Sequence, residues 1–340
     1  MDNAPDDVFE RPRYAFSGGP GPLSAAEFAP VFQISLDDIL DDEVVARAIY
    51  DENGVPMVTA GTKLTPKLVS SLRKHGYNSI FVMGKGTEDI QIDEYLRPEV
   101  RRRITGRLRD MFQRIESEVA SNMDPRELAQ DGVKSFRERL RSSKMRRVLD
   151  KITLPITFLK DVNTMIEDVL SQRSFAATLQ SIKNVNTLLI DHVMDVTLNT
   201  LLLARLYWPQ TTELSRIAMG CLVHDIGCLF LPPEIADGNV EMDGQQARQY
   251  QLHALYGYFL LHELPQVNLL ATHIAFQHHE NQDGSGYPRG VQGTNKIYVA
   301  EQAASKESGK IHRYANLAAI TNLFDRLCMS SWIIVVTIVL

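Results

Sequence analysis

Two stretches decide the fold: His224-Asp225-Ile226-Gly227 and, further along the chain, residues 278–288, which read HHENQDGSGYP. Every histidine of the chain except His75 lies between His192 and His312. Histidine is the commonest protein metal ligand, and an Asp beside one can bridge two cations. Chance clustering explains any single histidine better than it explains the whole set. We therefore predict a metal site that contains His192, His224, Asp225, His253, His278 and His279.

The segment that follows His279 is predicted to be a loop. Gly284, Gly286 and Pro288 stand close together there. Two glycines and a proline at this spacing exclude a regular helix or strand. Because the loop directly follows two predicted ligands, it is well placed to contact a bound substrate.

The motifs resemble one known family. HDIG at residues 224–227, HHE at 278–280 and DGSGYP at 283–288 resemble the HD-GYP family, over a stretch from about Ile182 to about Leu327. This family is a branch of the HD-superfamily metal-dependent phosphohydrolases. The resemblance implies a mainly α fold, with an all-helical HD-type domain, and hydrolysis of the bacterial messenger cyclic di-GMP to a linear dinucleotide or GMP. Residues 31–95 resemble a small α+β module often found ahead of such domains.

The resemblance also implies roles for individual residues. Two divalent metal ions are implied, the first on His192 and His224, both on the bridging Asp225, and the second on His253, His278 and His279. Nitrogen and oxygen ligands suit iron or manganese, with zinc as an alternative. A hydroxide held between two cations is a nucleophile at neutral pH, which makes Asp225 part of the catalytic machinery. The predicted substrate-binding residues are Gly284, Gly286, Tyr287 and Arg289, the last either as a phosphate partner or as ordinary surface charge.

The sequence departs from the family pattern in four places. Cys228 stands where the HDIGK motif has a lysine that brings positive charge near the phosphate. Asn322 stands where the family has its last metal-binding Asp, and Asp325, one turn away, is an alternative ligand. Leu188 replaces a carboxylate that serves a third metal ion in some members, so two ions are the expected maximum. The segment after Leu327 contains no arginine, whereas family members have an arginine there that binds the substrate phosphate.

The composition of the chain indicates its compartment and the kinds of partner it binds. The net charge of −6 argues against binding to a nucleic acid polymer, and the basic run within residues 101–150 is interpreted as a solvated helix face. Three cysteines without CxxC spacing fit a reducing cytoplasm. Acidic residues at the N-terminus exclude a signal peptide. The apolar residues 332–340 are too few to span a bilayer and show no clear membrane association. A buried strand, a truncated membrane segment and a sequence artefact all remain open for them.

Periodicity and turn residues divide the chain into five parts. These are a flexible leader at residues 1–30, the α+β module at 31–95, a helical linker at 96–180, the HD-GYP domain at 181–328 and an apolar tail at 329–340. In the module we predict strands at 32–34, 44–50, 55–59 and 79–83, a hairpin turn at 52–54 and a helix at 66–74. Further helices are predicted at 98–120, 125–150, 160–178 and 187–206.

Two details of the helical part bear on function. Residues 98–178 are expected to join the modules or to form a homodimer. A helix that begins near Leu214 is expected to end at His224 and Asp225, with Gly227 as its terminator.

Three functions compete at this point. The first is a cyclic di-GMP phosphodiesterase. The second is a degenerate HD-GYP protein that binds metal or nucleotide with little turnover and signals through partners. The third is a different metal-dependent HD phosphohydrolase. The histidine set and the GYP loop favour the first, whereas Cys228 and Asn322 favour the second.

Overall fold

The structure is a computed structural model. It describes residues 31–39, 43–51, 55–77, 79–84, 96–152, 156–171, 188–236, 238, 240–264, 266–294 and 309–329. The predicted leader, the hairpin turn at 52–54 and the apolar tail from residue 330 lie outside these residues. The described helices and small two-stranded sheets confirm a mainly α protein with a small α+β module in front.

The module has four short strands and one helix. Strand β1 (Val31–Ser35) pairs antiparallel with β4 (Ser79–Met83), and β2 (Ile49–Tyr50) pairs antiparallel with β3 (Pro56–Val58). Helix α1 (Pro66–Lys74) starts as predicted: the Thr65 hydroxyl accepts a hydrogen bond from the Leu68 amide, and proline takes the first turn. Leu72, Ile49 and Ile80 are buried in the small core between these elements.

The predicted strand at 44–50 is wrong in extent. Only Ile49 and Tyr50 form a strand, while Val44 bridges to Lys63 and Val45 bridges to Val82. Because these neighbouring valines pair with different segments, the chain bends between them and Ile49 instead of continuing one ladder.

Nine helices make up the rest of the described chain. Their bounds are α2 (Pro98–Glu118), α3 (Pro125–Arg141), α4 (Ser143–Leu149), α5 (Ile156–Ser171), α6 (Leu188–Ala204), α7 (Thr211–Leu222), α8 (Gly244–Glu263), α9 (Leu269–Gln277) and α10 (Arg313–Met329). A single core of buried apolar side chains runs through them, from Leu96 to Ala318. Within the described residues, no helix has the length and apolar composition needed to cross a membrane.

Several helix boundaries in the structure differ from the predicted ones. The helix predicted at 125–150 is two helices, because Ser142 adopts an extended conformation and its hydroxyl caps α4 by accepting from the Met145 amide. Gly132, at a φ of 75°, adds a kink inside α3. Helix α5 starts at Ile156, earlier than predicted, and residues 172–178 lie outside the described residues.

The prediction that His224 and Asp225 end a helix terminated by Gly227 is wrong. Helix α7 ends at Leu222, His224 and Asp225 lie in the following turn, and Gly227 lies inside a short 3-10 helix, Ile226–Phe230. The glycine is required for a different reason. A Cβ at residue 227 would stand 2.0 Å from the His253 carbonyl oxygen and 2.6 Å from the Gly257 nitrogen. The short helix therefore packs directly on the backbone of α8.

We predict that Gly227→Ala destabilises the fold. The added methyl group can fit only if the 3-10 helix and α8 move apart, so the free energy of unfolding should fall by about 1–3 kcal/mol or more. Urea denaturation followed by circular dichroism measures the change. Gly106→Ala is the matched control, because nothing lies within 4 Å of a Cβ there and the residue is in the middle of α2. It should stabilise by roughly 0.5–1 kcal/mol. Equal effects at the two glycines would contradict this interpretation.

Candidate metal centre

Two groups of potential metal ligands meet at one carboxylate. The first subsite contains His192, His224 and Asp225, and the second contains Asp225, His253, His278 and His279. Within each group the ligand atoms lie within 4.8 Å of one another. The structure thus brings together all the histidines that the sequence predicted as ligands.

The potential ligands come from four parts of the helical core. His192 lies on α6, His224 and Asp225 lie in the turn after α7, and His253 lies on α8. His278 caps the end of α9, and His279 follows it. All except His279, which is partly exposed, are buried.

Backbone carbonyl groups set the orientation of three of the rings. The Nδ1 atoms of His224, His253 and His278 each lie beside the carbonyl oxygen three residues earlier, at 2.7, 2.6 and 2.9 Å. Nδ1 must carry the proton to donate to a carbonyl, so the lone pair of each ring is on Nε2. For His224 and His278 the acceptors are carbonyls in the last turns of α7 and α9.

The lone pairs point at the shared carboxylate. Asp225 Oδ1 lies 3.3 Å from His253 Nε2 and 3.1 Å from His278 Nε2, and these two nitrogens are 3.2 Å apart. Lone pairs that face one another and an anionic oxygen at such distances repel, unless a cation lies among them. The Nε2 atoms of His224 and His279 are also buried without a hydrogen-bond partner. The donor set therefore fits a divalent metal ion.

Burial keeps the second subsite ready to bind metal. It lowers the pKa of His253 to about 3 and that of His278 to about 4, so both rings are neutral at neutral pH. Burial alone would raise the pKa of Asp225. The surrounding histidines, His224 first, outweigh this effect of burial and hold the pKa of Asp225 well below its usual value. Neutral imidazoles and an ionised carboxylate are the forms that coordinate cations.

Asp325 lies behind one of the predicted ligands, His192. Its Oδ2 lies 2.6 Å from His192 Nδ1, and its side chain is fully buried. A carboxylate behind a histidine fixes the ring and leaves Nε2 for the metal, here 3.3 Å from Asp225 Oδ2. The structure therefore places Asp325 behind His192, and neither group of potential ligands includes it. Asn322 is buried, with its Oδ1 3.4 Å from Arg326 Nε.

Arg326 is the residue of this site that sequence reasoning missed. Its Nη2 lies 3.5 Å from Asp225 Oδ2 and also donates to the Tyr250 hydroxyl. The signal was present, since Arg326 follows Asn322 by one helical turn and so shares its face. The spacing of the histidines alone does not indicate this arginine.

The loop at 283–288 is folded against the second subsite. The Tyr287 ring stacks on the His279 ring, with centroids 4.6 Å apart. A Cβ at Gly286 would lie 2.4 Å from the His279 carbonyl oxygen, so a larger residue does not fit there. The amides of Gly284 and Tyr287 donate within the segment itself, to Asn281 and to His279. Arg289 is exposed at the end of the loop.

The loop is fixed by Glu280, the last residue of the HHE motif. Its buried carboxylate accepts hydrogen bonds from the Arg289 amide at 2.8 Å and from the Val291 amide at 2.9 Å. Sequence reasoning quoted this glutamate without a role. Its structural role is to hold the far end of the loop beside the ligand pair that it follows.

Cys228, where the family has a lysine, is buried at the centre. The thiol lies close enough to the side chains of Tyr250, Tyr287 and Arg326 to interact with each of them electrostatically. A neutral thiol brings no cation, and the guanidinium of Arg326 is the positive charge in this neighbourhood.

Comparison with known proteins agrees with this geometry. Residues 164–302 match the family model for the HD domain. Over 103 residues the chain is 35% identical to the 3'3'-cGAMP-specific phosphodiesterase 2 of Vibrio cholerae, and over 102 residues it is 36% identical to phosphodiesterase 3 of the same specificity and organism. Each alignment covers 30% of this chain, and the matched segment spans 20% and 22% of those relatives.

One solved structure is also similar. It is Bd1817, a HDG"Y"P protein from Bdellovibrio bacteriovorus, with a TM-score of 0.40 and 15% identity over 88% of each chain. Residues 164–302 therefore match an HD domain. The HDIG, HHE and GYP motifs within this stretch resemble those of the HD-GYP branch of that superfamily.

We predict that His253→Ala removes most of the bound metal. Second-subsite affinity should fall by at least about tenfold, because the variant loses one nitrogen ligand and leaves a cavity in its place. Elemental analysis of protein purified without oxygen measures the metal content per chain. His262→Ala is the control, since His262 is an exposed histidine on the same helix. If both variants retain the wild-type content, His253 is not a ligand.

We predict that Glu280→Gln loosens the loop. An amide has one acceptor oxygen, so one of the two backbone amides loses its partner, at a cost of about 1–3 kcal/mol. Hydrogen exchange at Arg289 and Val291 should quicken, and metal content should stay unchanged. The exposed Glu241 provides the control, as Glu241→Gln removes the same charge away from the loop. Unchanged exchange in Glu280→Gln would show that the carboxylate does not hold the segment.

Proposed function

We propose that this protein is a metal-dependent phosphodiesterase that hydrolyses a cyclic dinucleotide, with cyclic di-GMP as the first substrate to test. The observation that carries the proposal is the buried carboxylate of Asp225, shared by two groups of histidines whose lone pairs face it. Iron or manganese is the proposed metal, with zinc as the alternative. When bound, such an ion polarises a phosphoryl oxygen and lowers the pKa of water, which supplies the chemistry of diester hydrolysis.

The side chains of the chain would share the remaining work. Asp225 holds the two subsites at one carboxylate, so that a phosphate group placed over it can reach both. The loop at 283–288 forms one side of the approach to the second subsite, where Tyr287 covers His279. Gly286 allows this close approach, Gly284 takes a φ of 84° that permits the tight turn of the loop, and Arg289 lies exposed where a phosphate could reach its guanidinium. Cys228 takes the family lysine's place as a buried neutral group.

The substrate class rests on motifs and on relatives. The GYP loop resembles proteins that hydrolyse cyclic di-GMP, and the two relatives are named for 3'3'-cGAMP. Both molecules are cyclic dinucleotides with two phosphodiester bonds, so the shared chemistry is hydrolysis of such a bond. Cleavage of one bond gives a linear dinucleotide, and cleavage of both gives nucleoside monophosphates.

A second candidate function is binding with little turnover. It is favoured by Asn322, which brings no charge to the first subsite, and by the ion pair between Arg326 and Asp225. In this case the protein would bind a metal ion or a nucleotide and signal through partner proteins.

The proposals of a cytoplasmic location and a homodimer are secondary. A dimer would form through the helices within residues 98–178. Some of this surface is already used inside the chain, because Asp161 of α5 pairs with Arg103 and Arg107 of α2, each at 2.7 Å. The partner face would have to lie on the other side of these helices.

We predict turnover of cyclic di-GMP, with 3'3'-cGAMP assayed in parallel, by protein loaded with iron or manganese under reducing conditions. Chromatography of the products separates the linear dinucleotide from monophosphates. Asp225→Asn should reduce the rate by at least about a hundredfold, since it removes the charge that the subsites share. The control is Asp243→Asn, which changes an exposed helix-capping aspartate on α8.

Three results would count against the leading proposal. Metal-loaded protein that binds a cyclic dinucleotide without cleaving it supports the second candidate. Cleavage of other phosphate esters, with no cleavage of either dinucleotide, supports a different HD phosphohydrolase. Equal rates for Asp225→Asn and the unaltered protein would place the chemistry elsewhere.

A further inference from the structure

Arg326 occupies a prepared position beside the first subsite. Its guanidinium lies over the Tyr250 ring, 5.4 Å from the centroid, and donates to the hydroxyl of the same tyrosine. Gly238, at a φ of 73°, lies on another side, where a Cβ would stand 2.6 Å from Arg326 Nη1. Only 20% of the arginine side chain is exposed. An aromatic face, a hydroxyl and the space left by a glycine thus hold the guanidinium in place.

The guanidinium faces one particular oxygen. Asp225 Oδ2 lies 3.5 Å from Arg326 Nη2 and 3.3 Å from each of the Nε2 atoms of His192 and His224. It is therefore the first-subsite oxygen that pairs with the arginine. The other oxygen, Oδ1, faces His253 and His278 of the second subsite.

Because Arg326 pairs with Asp225 Oδ2, the two subsites differ in their charge balance. A guanidinium is always positive in proteins, so it repels a divalent cation that binds to the same oxygen. Asn322 Oδ1 accepts a hydrogen bond from Arg326 Nε at 3.4 Å, and its neutral amide adds no negative charge beside the guanidinium. The second subsite has three neutral histidines and its own carboxylate oxygen.

We propose that Arg326 acts as a built-in cation for the first subsite: it neutralises Asp225 Oδ2 and makes the two subsites fill in order, the second before the first. Arg326 is a positioning residue here, because it acts on metal binding through Asp225. The inference rests on the proposed metal centre, and it adds that a chain with one metal ion is a stable, charge-balanced state. At low metal concentration that state would be the main one.

The test counts metal ions with manganese alone as the probe. Protein stripped of metal is saturated with Mn(II), passed through a desalting column and analysed for manganese, and its electron paramagnetic resonance spectrum is recorded. The unaltered protein should retain about one ion per chain and show the spectrum of isolated Mn(II). Arg326→Gln keeps polar contacts but removes the charge. This variant should retain about two ions per chain and show the broadened spectrum of a coupled pair.

Further variants separate charge from structure. Arg326→Lys keeps the positive charge and should stay near the unaltered content. Arg248→Ala removes an exposed arginine from α8 and should have no effect. Melting curves confirm that each variant is folded. If Arg326→Gln does not fold, Asn322→Asp provides a second test. It places a negative charge beside the Arg326 guanidinium and should raise the retained manganese above that of the unaltered protein.

The outcomes distinguish this inference from the proposed function. Two ions retained by the unaltered protein would overturn the role of Arg326 and leave the metal centre intact. The same content in unaltered protein and in folded Arg326→Gln would also overturn it. No manganese retained by any variant would mean that the metal centre itself fails, and with it the proposed function.

Discussion

The structure of this protein depends on one buried anion. Asp225 is almost completely inaccessible, and a carboxylate in such a place is costly unless positive charge or hydrogen-bond donors surround it. Histidines from four separate elements and Arg326 converge on it. In this respect the helices around the centre pack to supply partners for one charge, as well as to bury apolar surface.

The histidines around Asp225 are themselves held by further contacts. Three histidines are fixed by carbonyls of their own helices, and His192 is fixed by the Asp325 carboxylate. The carbonyl contacts are local, so they follow from where each histidine stands in its helix. The contact between His192 and Asp325 joins residues far apart in sequence and requires α6 and α10 to be packed together. The two subsites thus differ in how much of the fold they need.

These differences explain what the sequence could predict. Histidine spacing and the glycine-rich loop predicted the side chains that the structure brings together around Asp225, because residue type alone determines what can bind a metal ion. The pairing of β2 with β3 and the start of α1 were also predictable from turn and capping residues, whereas the pairing of β1 with β4 was not predicted. Arg326 shares a helix face with Asn322 in the sequence pattern. Its contact with Asp225, and that of Asp325 with His192, nevertheless had to be seen in the structure, since both depend on which face of α10 meets the centre. Gly227 was given the wrong reason, because a close approach to another helix leaves no mark on local sequence.

That close approach has a consequence for how the centre tolerates change. The short helix that follows Asp225 rests on the main chain of α8 beside the His253 carbonyl, with no side chain between them. The separation of these two ligand-bearing segments is therefore a backbone contact distance. Side chains elsewhere in the core can vary in size over evolution without altering it. The metal-binding geometry is in this way insulated from the drift of the surrounding hydrophobic core.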